Sequence, residues 1–153
     1  MKGKLVHYAK VHQCLVPAVC KTTANATGTG VAVGAYDDVL MIWEQGISGD
    51  TLGESLLWTI TFEESAALAT GYTTIEDADL IGGYGSHTID AAGEDPTTLV
   101  RQYIGSKAYV RMIGTITGTH SNGTPLAAVV LLGSPRKAPV TQTTELGTDT
   151  SSE

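Results

Sequence analysis

The sequence is poor in aromatic side chains, in cysteine and in charge. Of its 153 residues one is Phe, two are Trp, six are Tyr and two are Cys, and 16% are charged. No stretch approaches the roughly 18 uninterrupted apolar residues that a membrane-spanning helix needs. A secretory leader is not recognisable either, because Lys2, Lys4 and Lys10 are scattered among His7, His12 and Gln13 with no clean apolar block. The reading is a soluble protein, made in the cytoplasm and acting away from any membrane. Cys14 and Cys20 have five residues between them, including Pro17. In an extended chain they stand about 20 Å apart, so two reduced thiols are expected rather than a disulfide.

What is present is glycine, threonine and segregated charge. One domain with a real core fits this length, and the Gly- and Thr-rich mixture favours strands and turns over helices. Residues 1–36 carry four Lys and no acid, and residues 37–100 carry thirteen acids and no base. Residues 101–137 carry five bases and no acid, residues 138–153 carry three acids and no base, and the total is −7. An acidic total without a dense basic patch argues against nucleic acid as a partner. Sign-segregated blocks suit a subunit whose surface meets complementary neighbours, although folding can also intermix such blocks.

Along the chain we expect an N-terminal arm and linker (1–26), an antiparallel β-sandwich (27–140) and a polar acidic tail (141–153). The clearest strand is "LLWTITFEE", residues 56–64, in which Leu56, Trp58, Ile60 and Phe62 alternate with polar positions. "VLMIWEQ" (39–45) and "LAAVVLLG" (126–133) are continuous apolar runs of strand length, as expected where both faces are covered. "TTLVRQYIG" and "AYVRMIGTIT" read as two strands hinged at residues 105–107. "ESAALAT" (64–70) has the composition for two helical turns ending at Gly71. Residues 82–96 form a glycine-rich excursion, and Asn122-Gly123 a connection. Seven or eight short strands about ten residues apart indicate an all-β sandwich, with a jelly roll as one form of it.

Chemistry-bearing constellations are weak. "GTGVAVG" (28–34) has the glycines of a dinucleotide loop, but a strand follows where that loop requires a helix. Glu76, Asp77 and Asp79 are too closely spaced and too few for a calcium loop. The four His show no metal-ligand spacing. Ser86 beside His87 lacks the nucleophile elbow, and Glu63-Glu64 has no identifiable second carboxylate for glycoside hydrolysis. No catalytic set, metal or cofactor is expected.

Three stretches carry a resemblance: "GTGVAVGAYDDVLMIWEQGISGD" (28–50), "DADLIGG" (77–83) and "YIGSKAYVRMIGTITGTHSNGTPLAAVVLLGSPRKAPV" (103–140). The last presents Tyr103, Gly105, Lys107, Tyr109, Val110 and Arg111, then Gly133, Pro135, Arg136, Ala138 and Pro139. Together they resemble a family of small tailed-bacteriophage virion structural proteins of capsid cement or decoration type. The resemblance spans roughly residues 27–140, and the alanine-rich 64–78 segment and the acidic tail depart from it.

It implies a β-sandwich on the capsid surface, partnered by the major capsid protein and by copies of itself as a homo-oligomer. A head–tail or tail component, or a carbohydrate-binding sandwich for host adhesion, are the competing expectations. Candidate interface residues are Lys2, Lys4 and Lys10 on the arm, Arg101, Lys107, Arg111, Arg136 and Lys137 on the body, and Tyr84 in the glycine-rich excursion. Arginine and lysine suit contacts to carboxylates on a neighbouring subunit. Arg136 and Lys137 also read as ordinary charges at a solvated strand end.

Overall fold

A computed structural model describes residues 7–137. Eleven strands run in chain order: β1 (Ala9–Thr22), β2 (Ala26–Thr27), β3 (Val31–Ala32), β4 (Tyr36–Gln45), β5 (Leu57–Ser65), β6 (Thr73–Thr74), β7 (Leu80–Ile81), β8 (Ser86–Ile89), β9 (Thr97–Tyr103), β10 (Tyr109–Thr117) and β11 (His120–Pro135). They form two antiparallel sheets. The five-stranded sheet has the order β1-β11-β4-β9-β7; the six-stranded sheet has β2-β10-β5-β6, with β3 also on β10 and β8 also on β5. The chain is an all-β sandwich, as expected.

Period-2 alternation fixes which side chains turn inward. Trp58, Ile60 and Phe62 on β5 meet Met41 and Trp43 on β4, Val130 on β11 and Met112 on β10, and all are fully buried. The register leaves a glycine where the rings crowd. A Cβ on Gly114 would lie 2.8 Å from Trp43 and 3.3 Å from Trp58, so only glycine lets β10 approach the two indoles.

Four expectations are corrected. Residues 9–22 are no arm ahead of the body: β1 lines the edge of the five-stranded sheet, paired with β11 from Ala9↔Gly133 to Thr22↔His120. Lysines and Pro17 are compatible with an edge strand, because its outer rim needs neither apolar side chains nor every N–H. Residues 66–70 form bends and no helix. There the Ser65 hydroxyl donates to the Thr70 carbonyl (2.5 Å) and accepts the Ala67 N–H (3.0 Å), and so short a segment cannot sustain a helix alone. The glycine-rich excursion contains β8, whose His87 and Thr88 pair with Ile60 and Thr59. Asn122-Gly123 lies inside β11, with Gly123 at φ +85°.

β9 and β10 are both strands, and the hinge between them carries the chain from one sheet to the other. The seam beside β1 is closed at Cys14, whose thiol donates to the Thr29 carbonyl (3.3 Å) and accepts the Met112 N–H (3.4 Å). Burial pushes that thiol up to about 11. Both cysteines are free.

Candidate functional site

Side chains directly opposite in an antiparallel pair point to the same face, so the register defines the outer surface of the five-stranded sheet. One row across it reads Val11, Leu131, Leu40, Gln102 and Ile81. The next reads Gln13, Val129, Ile42 and Val100, and a third reads Ala127, Glu44 and Thr98. This surface is largely aliphatic. Val11 is 47% exposed, Ile81 54% and Val100 40%, while Leu40, Ile42, Val129 and Leu131 are half-buried. The expectation that β4 and β11 are covered on both faces is therefore corrected. One face packs on the core, and the other carries no second layer among the described residues, with Tyr8 at its edge beside Leu40 and Leu131.

At the end of the sandwich where β4 begins and β11 ends, beside the buried Val33, Val39 and Tyr103, lies a basic corner. Lys107 and Arg136, 29 positions apart, line one cavity of about 510 Å³ together with Tyr36, Asp37 and Tyr103. Lys137 is exposed next to it. Arg136 Nε donates to Asp37 Oδ1 at 3.1 Å, with the two side chains 66% and 62% exposed. An ion pair so open to water contributes little. The hinge carrying Lys107 is firmly held: its N–H donates to Tyr103 Oη (2.8 Å), and that hydroxyl donates to Glu64 Oε2 (2.6 Å). Burial, reinforced by the bond to Glu64, holds the Tyr103 phenol well above its ordinary value.

The remaining candidate residues divide. Arg101 is unavailable to a partner, which corrects its assignment to an interface. It is 8% exposed, lies over the Phe62 ring and donates to the carbonyls of Gly82 (2.9 Å), Val100 (2.9 Å) and Tyr84 (3.2 Å). Its role is to tie the 82–84 loop down. Arg111 already has partners within the chain: Glu63 at 2.7 Å and the Tyr72 ring, 4.0 Å from its guanidinium carbon. Lys10 is half-buried on β1, opposite Leu132, and Lys2 and Lys4 lie outside the described residues. Tyr84 is 68% exposed and lines a hollow of about 400 Å³ with Glu76 and Asp77.

The polar clusters have structural partners. Glu63 holds Arg111, and Glu64 accepts from Tyr103. Ser86 and His87 are successive residues of β8 and so point to opposite faces. Asp77 accepts the Gly85 N–H, and Glu94 accepts those of Asp90 and Ala91. Among the described residues no three His, Cys, Asp or Glu gather as metal ligands, and no helix is long and apolar enough to cross a membrane.

The chain matches no family model, no curated protein and no solved structure. Its surfaces therefore have to be read from their own chemistry. One residue without a sequence signal is Asp50, whose carboxylate accepts the N–H groups of Asn122 (3.0 Å) and Gly123 (2.9 Å). It pins the 46–53 loop to the start of β11, at the end of the apolar face away from the basic corner.

Proposed function

We propose that this protein is a non-enzymatic virion structural protein of a bacteriophage, of the capsid cement or decoration type, which binds the major capsid protein shell and stabilises it. The observation that carries an assembly role is the aliphatic outer face of the five-stranded sheet, since a contiguous apolar patch of this extent marks a surface built to be covered. The basic corner of Lys107, Arg136 and Lys137 supplies a polar contact, aimed at carboxylates on a neighbouring subunit. Each bridge between subunits adds free energy to the assembled state alone, which is how a small protein reinforces a large shell.

We also read the sandwich as a jelly roll, a reading that the strand order supports. Counting β2 with β3, and β6 with β8, as single strands and setting the two-residue β7 aside leaves eight, four per sheet. The first lies beside the last, and most connections cross between the sheets. Jelly rolls recur in capsid and lectin domains, an analogy of fold and not of function. The second half of that analogy has one observation in its favour: Tyr84 beside Glu76 and Asp77 combines a stacking ring with hydrogen-bonding acids, as a sugar site requires.

Copy number on purified particles, measured by quantitative gel, tests the proposal. Hundreds of copies per head are expected. A single ring of about six or twelve would place the protein at a head–tail junction, and absence from particles would end the virion reading altogether.

A further inference from the structure

We propose that the outer face of the five-stranded sheet is the contact between two copies of this chain, packed sheet against sheet. The inference rests on the reading of the protein as an assembly component and names the partner for that face. Three observations favour a second copy as the occupant.

The first is shape and size. Four long strands spaced about 4.8 Å apart, each contributing about eight residues at about 3.3 Å, make a face of roughly 20 Å by 25 Å. Its projected area is thus about 500 Å², and more when pleating and side chains are followed, which approaches the roughly 800 Å² per partner of a stable interface. The side chains along this sheet plane, Ala127, Val129, Leu131, Leu40 and Ile42, are aliphatic, with a hollow of about 450 Å³ beside Leu40 and Leu131 and another of about 490 Å³ beside Ala127. Two such planes stack about 10 Å apart with their strands nearly aligned, as the two sheets within one sandwich do.

The second is charge. Glu44 sits at one end of the face, held by the Thr98 hydroxyl (2.8 Å); the other end is mixed, with Asp38 outward opposite Gly133 and with Arg136 and Lys137 beyond Pro135. A two-fold axis lying in the interface and running across the strands brings the Glu44 end of each copy onto the Arg136–Lys137 end of its partner. An axis running along the strands would set Glu44 against Glu44. The axis across the strands is therefore the one that gives Glu44 basic neighbours, Arg136 and Lys137, alongside Asp38.

The third is the composition of the centre. The row formed by Gln13, Val129, Ile42 and Val100 contains no charge; the charged positions in the outward register are Glu44 in the third row and Asp38, opposite Gly133, at the other end. An uncharged middle with a polar rim is the anatomy of a protein–protein interface. Each chain carries a net charge of −7, so added salt screens the repulsion between copies and tightens the pair. Binding of the basic corner to a polyanion would respond to salt in the opposite direction.

The test is sedimentation equilibrium of the full chain, with Ile42→Lys and Val100→Lys as variants. The unaltered chain is expected at twice its 15.9 kDa mass, and both variants at the monomer mass with an unchanged far-ultraviolet circular dichroism spectrum. Val100 is already 40% exposed, so its lysine variant folds even where a lysine at position 42 does not. A chain that stays monomeric up to about 100 μM overturns the inference, as does a dimer that survives both lysines. The outcomes separate from those of the proposed function. A monomer in solution that still decorates particles removes only the sheet-to-sheet contact, whereas a dimer absent from particles removes only the virion role.

Discussion

Arg111 and Ile42 both point outward from long strands, and they stand for two differently built surfaces. Around Arg111 the outer face of the six-stranded sheet carries Glu63, Thr59, Thr61, Thr88 and Thr115, and its charges are paired within the chain. Around Ile42 the outer face of the five-stranded sheet carries valine, leucine and alanine, unpartnered by any described segment. The same interior supports both. The polar face is finished as it stands, because its groups are satisfied by one another and by water. The aliphatic face has no such partners among the described residues.

The sharpest way to break this comparison uses two glycines. Gly114→Ala places a methyl group against two rigid, fully buried indoles and is expected to destabilise the fold by about 2–3 kcal/mol in urea titration. Gly133→Ala, on the aliphatic face, meets only the Asp38 side chain at 3.3 Å and should stay within about 0.5 kcal/mol of the parent. Equal losses would mean that the aliphatic face is packed as tightly as the interior, and the contrast would fail.

A smaller effect separates the faces themselves. Arg111→Ala removes a half-shielded ion pair and its stacking on Tyr72, for a loss of about 1–2 kcal/mol. That loss should not depend on protein concentration. Ile42→Thr should lose less than about 1 kcal/mol at high dilution and more as concentration rises, because only associated copies bury the side chain. Melting curves over a dilution series check both; concentration-independent behaviour of Ile42→Thr would return that face to plain solvent.

The smallest effect concerns the loop at the far end of the aliphatic face. Backbone N–H donors, Gly123 first, hold the Asp50 carboxyl below its ordinary value of 3.8. A carboxylate depressed in the folded state stabilises the fold above its unfolded value, and this contribution is lost as pH falls through the folded value. Asp50→Asn should therefore be less stable than the parent at neutral pH, and the two should converge in acid. Stability curves that stay parallel from pH 7 to about pH 2 would show that the carboxylate's charge is not what pins the loop.

Much of the fold was legible because alternation is a strong signal. Trp58, Ile60 and Phe62 announced β5, and the apolar runs announced β4 and the second half of β11. The missed elements lacked that signal for identifiable reasons. β8 is Ser-His-Thr-Ile, with one apolar residue to mark it. β1 mixes lysine, histidine and proline because its outer edge needs no neighbour. The start of β11 carries Asn-Gly, a turn signature, at a bulge.

The site was half legible. Lys107 and Arg136 were identifiable as candidates, but their meeting in one cavity depends on two strand pairings far apart in sequence. Arg101 could not be told from Arg111 or Arg136 by type, only by the face it occupies. The aliphatic face was visible as apolar runs and read as interior. A strand covered by its own fold and a strand covered by a neighbour have the same composition, so the pattern alone cannot say which one is present.

The pairing of β1 with β11 has a mechanical consequence. Ala9 lies opposite Gly133, so tension applied to the two ends of the described body is borne by a single rung of the ladder at a time, and these strands peel apart like an opening zip. Load entering through the broad face of the sheet is instead shared by many rungs at once and resisted in shear. A body built this way is weak when pulled by its ends and strong when gripped by its flat side.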